Sequence, residues 1–196
     1  DRLAFHDRQA GAGLPVMEGK SILFKGFAGV DSVPICLDTQ DVDEIVRAVE
    51  LMAPTFGGIN LEDIKAPQCF DIEKRLQKLD NPVFHDDQHG TAIISAAGLI
   101  NALMVAGKRI EEVRIVVNGA GAAAISCTRL YCAFGARKEN IVMLDSKGVI
   151  STAREGLNEQ KREFATSRTD IHTLAEAVAD ADVFIGLSKG HVLTQD

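Results

Sequence analysis

At 196 residues, 46% hydrophobic and 25% charged, the chain has the composition of an ordinary globular protein of one large or two small domains. Its net charge of -7 and the absence of a basic stripe argue against a nucleic-acid partner, whose phosphates would need clustered lysine and arginine. No unbroken apolar run reaches the roughly 18 residues of a membrane span, and Asp1–Arg8 lacks the apolar core of a signal peptide, so a cytoplasmic protein without a membrane partner is expected.

In chain order, Leu14-Pro15-Val16-Met17 and Glu18-Gly19-Lys20 lead into Ser21-Ile22-Leu23-Phe24, which reads as a strand or the start of a buried helix. Val33-Pro34-Ile35-Cys36-Leu37 is a second short run, limited by Pro34 to a strand start or an edge. Asp38 or Thr39 is the cap expected for the next helix, since Val42, Ile45, Val46 and Val49 recur at helical spacing with Asp43, Glu44, Arg47 and Glu50 on the other face. Phe56-Gly57-Gly58-Ile59-Asn60 is a buried-strand candidate that delivers Glu62-Asp63. Ile72, Leu76 and Leu79 mark another helix, and Pro82-Val83-Phe84 the next strand, which delivers Asp86-Asp87.

Strand alternating with helix predicts a parallel sheet whose ligand groups gather at the strands' carboxyl ends. Adjacent carboxylates there suit a divalent cation, which takes hard oxygen ligands. One of each pair can equally cap the following helix, and spacing alone leaves both readings open. His85 and His89 suit one helix face, but no cysteine or third histidine is placed to complete a tetrahedral zinc site. Cys36, Cys69, Cys127 and Cys132 show no metal or redox spacing and read as reduced, buried thiols. From Gly90 the small and apolar residues predict a helix buried on nearly all sides that stops at Ala106-Gly107. A hinge near residues 85 to 90 divides the chain into domains 1–85 and 86–196.

Val113–Val117 reads as a strand, followed at once by Asn118-Gly119-Ala120-Gly121-Ala122-Ala123-Ala124. In this G-x-G-x-x-A turn the first glycine permits the tight turn, the second lets backbone approach a pyrophosphate, and the small third residue allows close helix–strand packing. The helix N-terminus then faces the phosphates. The next strand, Ile141–Leu144, ends in Asp145, 24 residues beyond Gly121. Asp145 suits the ribose hydroxyls of NAD, whereas Ser146 and Lys147 suit a 2'-phosphate. A helix over 172–180 and a strand over Val183–Leu187 complete part of a six-stranded sheet. The fold class is α/β: a small parallel α/β substrate and metal domain, then a partial, doubly wound Rossmann-type nucleotide domain.

Over residues 14–196 the chain resembles malic enzymes of the short bacterial type. The resemblance rests on Leu14–Lys20, on Phe56-Gly57-Gly58-Ile59-Asn60-Leu61-Glu62-Asp63-Ile64, and on Phe84-His85-Asp86-Asp87-Gln88-His89-Gly90-Thr91-Ala92. It implies that Lys20 is the general base at the malate C2 hydroxyl, that Asp86 assists it, and that Glu62, Asp63 and Asp87 hold Mg2+ or Mn2+. It also implies that Thr91, Gly119, Gly121, Ala122, Ala123, Asp145, Ser146 and Lys147 bind NADP or NAD, with NADP preferred, in a homodimer that converts L-malate to pyruvate and CO2. A free lysine titrates at roughly 10.4, so a basic lysine at neutral pH needs burial or a nearby cation. The family's general-acid tyrosine, expected upstream of the lysine, is not in this chain; Tyr131 lies after the glycine turn, where packing is its expected role. Neither end reads as a natural terminus, so a fragment that is weakly active or inactive by itself is expected. The rival expectations are another two-domain amino or hydroxy acid dehydrogenase, which would not need Glu62, Asp63 and Asp87 together, and a non-catalytic nucleotide-binding remnant.

Overall fold

The structure, a computed structural model, describes residues 10–193; the reading of Asp1–Arg8 lies outside them. By contacts the chain divides into two units, Asp1–Ile64 with Gln68–Phe84, and Lys65–Pro67 with His85–Asp196.

In the first unit, helix α1 (Leu14–Leu23) carries Pro15 in its first turn, where the missing N–H loses no bond. It continues through a wide helical turn, Phe24–Ala28, and stops at Gly29 in the left-handed conformation. Ser21–Phe24 is therefore helical, yet α1 buries no residue, and Ile22 and Leu23 are exposed, so neither a strand nor a buried helix describes it. Val33–Leu37 forms no strand: Pro34 removes a ladder donor and the segment stays irregular. The cap of α2 (Val42–Met52) is Asp41 rather than Asp38 or Thr39, its carboxylate accepting the N–H groups of Asp43 at 2.8 Å and Glu44 at 3.0 Å. Thr39 instead accepts the N–H of Asp41 and bonds the Glu44 side chain. Strand β1 (Ile59–Leu61) pairs with β2 (Val83–His85), and α3 (Gln68–Leu76) lies between them in sequence. The core is Val46 and Val49 of α2, Leu61 of β1, and Ile72 and Leu76 of α3.

In the second unit a wide helical turn, Asp86–Gly90, runs into α4 (Thr91–Ala106). No side chain caps α4, because Gly90 occupies its N-cap. Gly107, at φ 64°, ends it as its sequence predicts. Ala92, Ala96, Leu99 and Leu103 form its buried stripe, whereas Ile93, Ile94, Met104 and Val105 are exposed, so burial on nearly all sides is corrected to one face. The turn also lengthens the helix: Asp86–Ala106 is one helical run of 21 residues, long and apolar enough by length and composition to cross a membrane. The apolar run alone falls short of that length; helical geometry in the acidic turn supplies the rest.

The sheet has the order β5-β4-β3-β6. Strands β3 (Ile115–Asn118), β4 (Ile141–Asp145) and β6 (Val183–Gly186) are parallel, and β5 (Gly148–Val149) is an antiparallel edge. All of β3 and the first four residues of β4 are buried, as parallel strands covered by helices require. Helix α5 (Ala122–Ala133) follows β3; α6 (Glu159–Glu163) and α7 (Leu174–Val178) are short, α7 being fixed by a Thr173–Glu176 capping box. Val116, Val142, Leu144, Val149, Ile171 and Ala177 make one core cluster.

Candidate functional site

The turn from β3 to α5 assigns its two glycines different work. Gly119 adopts φ 134°, and a Cβ there would overlap the Leu187 carbonyl just beyond β6, so backbone crossing demands glycine. The Asn118 amide donates to Ser188 Oγ at 3.1 Å and closes the same junction. Gly121 is extended, and a Cβ built on it meets no atom within 4 Å. That open space lies at the N-terminus of α5, whose first turn, starting with Ala122 and Ala123, carries no acidic residue. The N–H groups of a helix start, a favourable helix dipole and no acidic residue in the first turn suit a pyrophosphate.

Asp145 closes β4, one strand over. Its side chain is only 10% exposed and is paired with Arg154 and Lys161, each at 2.8 Å. It also accepts the Lys147 N–H at 2.9 Å. Burial pushes the Asp145 carboxyl up, but the bonds from Lys161, the Lys147 N–H and Arg154 outweigh it and hold the group below the usual carboxylate range. The carboxylate the sequence offers to a ribose is thus already engaged, with two cations beside it and Ser146 and Lys147 exposed next to it. Arg154 and Lys161 are not legible as site residues: they lie in a stretch without periodicity that reaches Asp145 only through the fold.

In the first unit, Lys20 Nζ stands 3.3 Å from Glu62 Oε2; the lysine side chain is 27% exposed and the glutamate 7%. Asn60 donates to the same oxygen at 3.0 Å, so β1 positions Glu62 through its own strand. Asp63 takes a left-handed backbone at φ 57°, a conformation that costs a non-glycine residue on the order of 1 kcal/mol.

In the second unit, Asp86 and Asp87 are half-buried on the wide turn and Thr91 opens α4. A Cβ at Gly90 would collide with Asp86 Oδ1, so the Asp86 carboxylate folds back over the glycine. Tyr131 is fully buried, and its hydroxyl is bonded to Ser95 Oγ. Burial pushes its pKa up to about 12. Among the described residues no group of three or more His, Cys, Asp or Glu is gathered so as to hold a metal ion. Glu62 and Asp63 belong to the first unit and Asp87 to the second.

Two family profiles match the chain: the malic enzyme NAD binding domain over residues 88–195 and the malic enzyme N-terminal domain over residues 9–77. The chain belongs to the malic enzyme family. It is 55% identical over 186 residues to the NADP-dependent malic enzyme of Halomonas elongata, covering 94% of this chain and 44% of that protein. The bifunctional malic/malolactic enzyme of Bacillus subtilis is 55% identical over 191 residues, covering 94% of this chain and 46% of that protein. The crystal structure of the NAD-dependent malic enzyme of Thermotoga maritima superposes with a TM-score of 0.88 at 42% identity, covering 94% of this chain and 50% of that one. The chain thus spans about half the length of these malic enzymes. Its sheet and glycine turn form the Rossmann-like part of the family's α/β fold.

Proposed function

We propose that this chain carries the nucleotide-binding and part of the malate-binding machinery for oxidative decarboxylation of L-malate to pyruvate and CO2, with reduction of NADP. The observation that carries this reading is the half-buried Lys20 beside Glu62, in a chain whose second unit has an open glycine turn. Bound NADP supplies the hydride acceptor, and a divalent cation, Mg2+ or Mn2+, supplies positive charge for the C2 oxygen. Glu62, Asp63 and Asp87 are the hard-oxygen residues assigned to that cation.

Lys20 would take the C2 hydroxyl proton as the amine, a form that requires its ion pair with Glu62 to open, with Asp86 assisting. The N-terminus of α5 and the bare backbone at Gly121 hold the pyrophosphate, with Thr91, Ala122 and Ala123 around it. Oxidation at C2 gives a β-keto acid that loses its C4 carboxylate as CO2, and the enolpyruvate left behind needs a proton. Tyr131 does not supply it, since its hydroxyl is buried and bound to Ser95. The chain alone is therefore expected to bind nucleotide better than it turns over malate.

Engagement of Asp145 favours NADP. A free carboxylate at this strand end bonds a ribose diol and repels a 2'-phosphate. With Arg154 and Lys161 against it and Lys147 adjacent, the local charge is positive instead. The same reading takes 1–85 as the substrate domain and 86–196 as the nucleotide domain of a cytoplasmic homodimer. NADP reduction with malate and Mn2+ tests it. In the complete enzyme Lys20→Met should abolish turnover and leave NADP affinity unchanged, and Lys161→Met should lower the NADP:NAD affinity ratio. Wild-type turnover by Lys20→Met overturns the base assignment, and NADP binding indifferent to malate and Mn2+ favours a non-catalytic remnant.

A further inference from the structure

The turn that presents Asp86 and Asp87 turns Gln88 inward. Gln88 is 2% exposed, and its Oε1 accepts a hydrogen bond from Ser126 Oγ at 3.5 Å. Ser126 is itself 7% exposed and lies one turn inside α5, the helix whose N-terminus meets the open glycine turn. The buried residues around this contact are largely apolar, Ala92, Ala96 and Leu99 of α4 and Ala124 and Ile125 of α5 among them. Ser95 of α4 and Tyr131 of α5 share a hydrogen bond, and Thr128 donates to the Ala124 carbonyl at 2.7 Å. A buried amide in such a place is fixed by its polar partners, because leaving it unsatisfied is costly. At 3.5 Å the Gln88–Ser126 contact is longer than an ordinary O–H···O bond of about 2.5–3.0 Å, so it has room to tighten.

We propose that Gln88 is a positioning residue that ties the Asp86–Gly90 turn to the nucleotide helix through Ser126, so that nucleotide binding at α5 orders the turn carrying Asp86 and Asp87. This role deepens the nucleotide-binding function and rests on it. A ligand that rigidifies the first turn of α5 removes motion from Ser126, and the shared bond passes that restriction to the only buried polar side chain of the turn. Asp86, folded over Gly90 within the same turn, is held in consequence.

Amide hydrogen exchange on the 196-residue chain, with and without NADP, tests the proposal without reference to turnover. In the wild type NADP should slow exchange over residues 119–126, and also over residues 86–90 by about fivefold, the lower range of ordinary site coupling. Gln88→Met and Ser126→Ala should keep the first protection and lose the second. The double variant should lose no more than either single one, since the two side chains act through one bond. If Gln88→Met fails to fold, Ser126→Ala, the smaller change, carries the test. Protection of the turn that survives in Ser126→Ala, or losses that add in the double variant, overturns the proposal and leaves nucleotide binding intact. Absence of protection over 119–126 in the wild type overturns the nucleotide reading and this inference with it.

Discussion

The two units place their functional groups by opposite means. In the second, the glycine turn and Asp145 stand at the ends of parallel strands β3 and β4, whose residues are almost entirely buried, and the binding surface at Gly121 is backbone. In the first, Lys20 rides on α1, which buries no residue, while the core is made by α2, α3 and β1. Ser21 steadies α1 by donating to the Met17 carbonyl and accepting from the Ser32 hydroxyl. Backbone on buried strands tolerates surface change but not added bulk. A side chain on an exposed helix tolerates bulk nearby and depends instead on its ion pair.

Substitutions ranked by expected effect can break that contrast. Gly119→Ala should be the most damaging, by about 4 kcal/mol, because positive φ and collision with the Leu187 carbonyl add. Urea unfolding measures it, and an unshifted midpoint would show that the backbone crossing does not require glycine. Leu76→Ala empties a fully buried position in α3 and should lower stability by about 3 kcal/mol in the same experiment. Gly90→Ala displaces the Asp86 carboxylate: stability should fall by roughly 1.5 kcal/mol, but turnover of the complete enzyme should fall by about a hundredfold. Equal losses in both would mean that Asp86 needs no fixed position.

Asp145→Asn sharpens the electrostatic side. The folded carboxyl titrates below its ordinary 3.8, so its stabilisation is fully present above that value and disappears as pH falls through the lowered one. Wild type should exceed Asp145→Asn by about 1 kcal/mol at neutral pH and converge with it in acid. A gap constant with pH would assign the effect to packing. Phe27→Ser, on the exposed turn after α1, should change stability by less than about 0.5 kcal/mol. A loss comparable to that of Leu76→Ala would show that α1 belongs to a core after all.

Legibility in the sequence divides along the same line. Periodicity marks α2, glycine chemistry marks the turn before α5, and Gly107 marks the end of α4, since each signal is local. Ser21–Phe24 is ambiguous because a short apolar run has no period of its own, and Val33–Leu37 carries strand-like residues around a proline that prevents pairing. The exposed side of α4 is hidden by its composition: apolar residues surround the helix, so pattern does not say which face packs. Arg154, Lys161 and the Gln88–Ser126 contact are beyond reach, because each joins residues separated by irregular chain or by a whole helix.

The buried phenol has an optical consequence. The chain contains no tryptophan and a single tyrosine, so emission excited at the red edge, where its nine phenylalanines do not absorb, comes from Tyr131 alone. With the hydroxyl shared with Ser95 between α4 and α5, that one chromophore reports the opening of the second unit while the first unit adds nothing to the tyrosine signal. Unfolding followed by tyrosine emission and by far-ultraviolet dichroism therefore watches one unit and both units respectively, and any lag between the two curves measures how independently they melt.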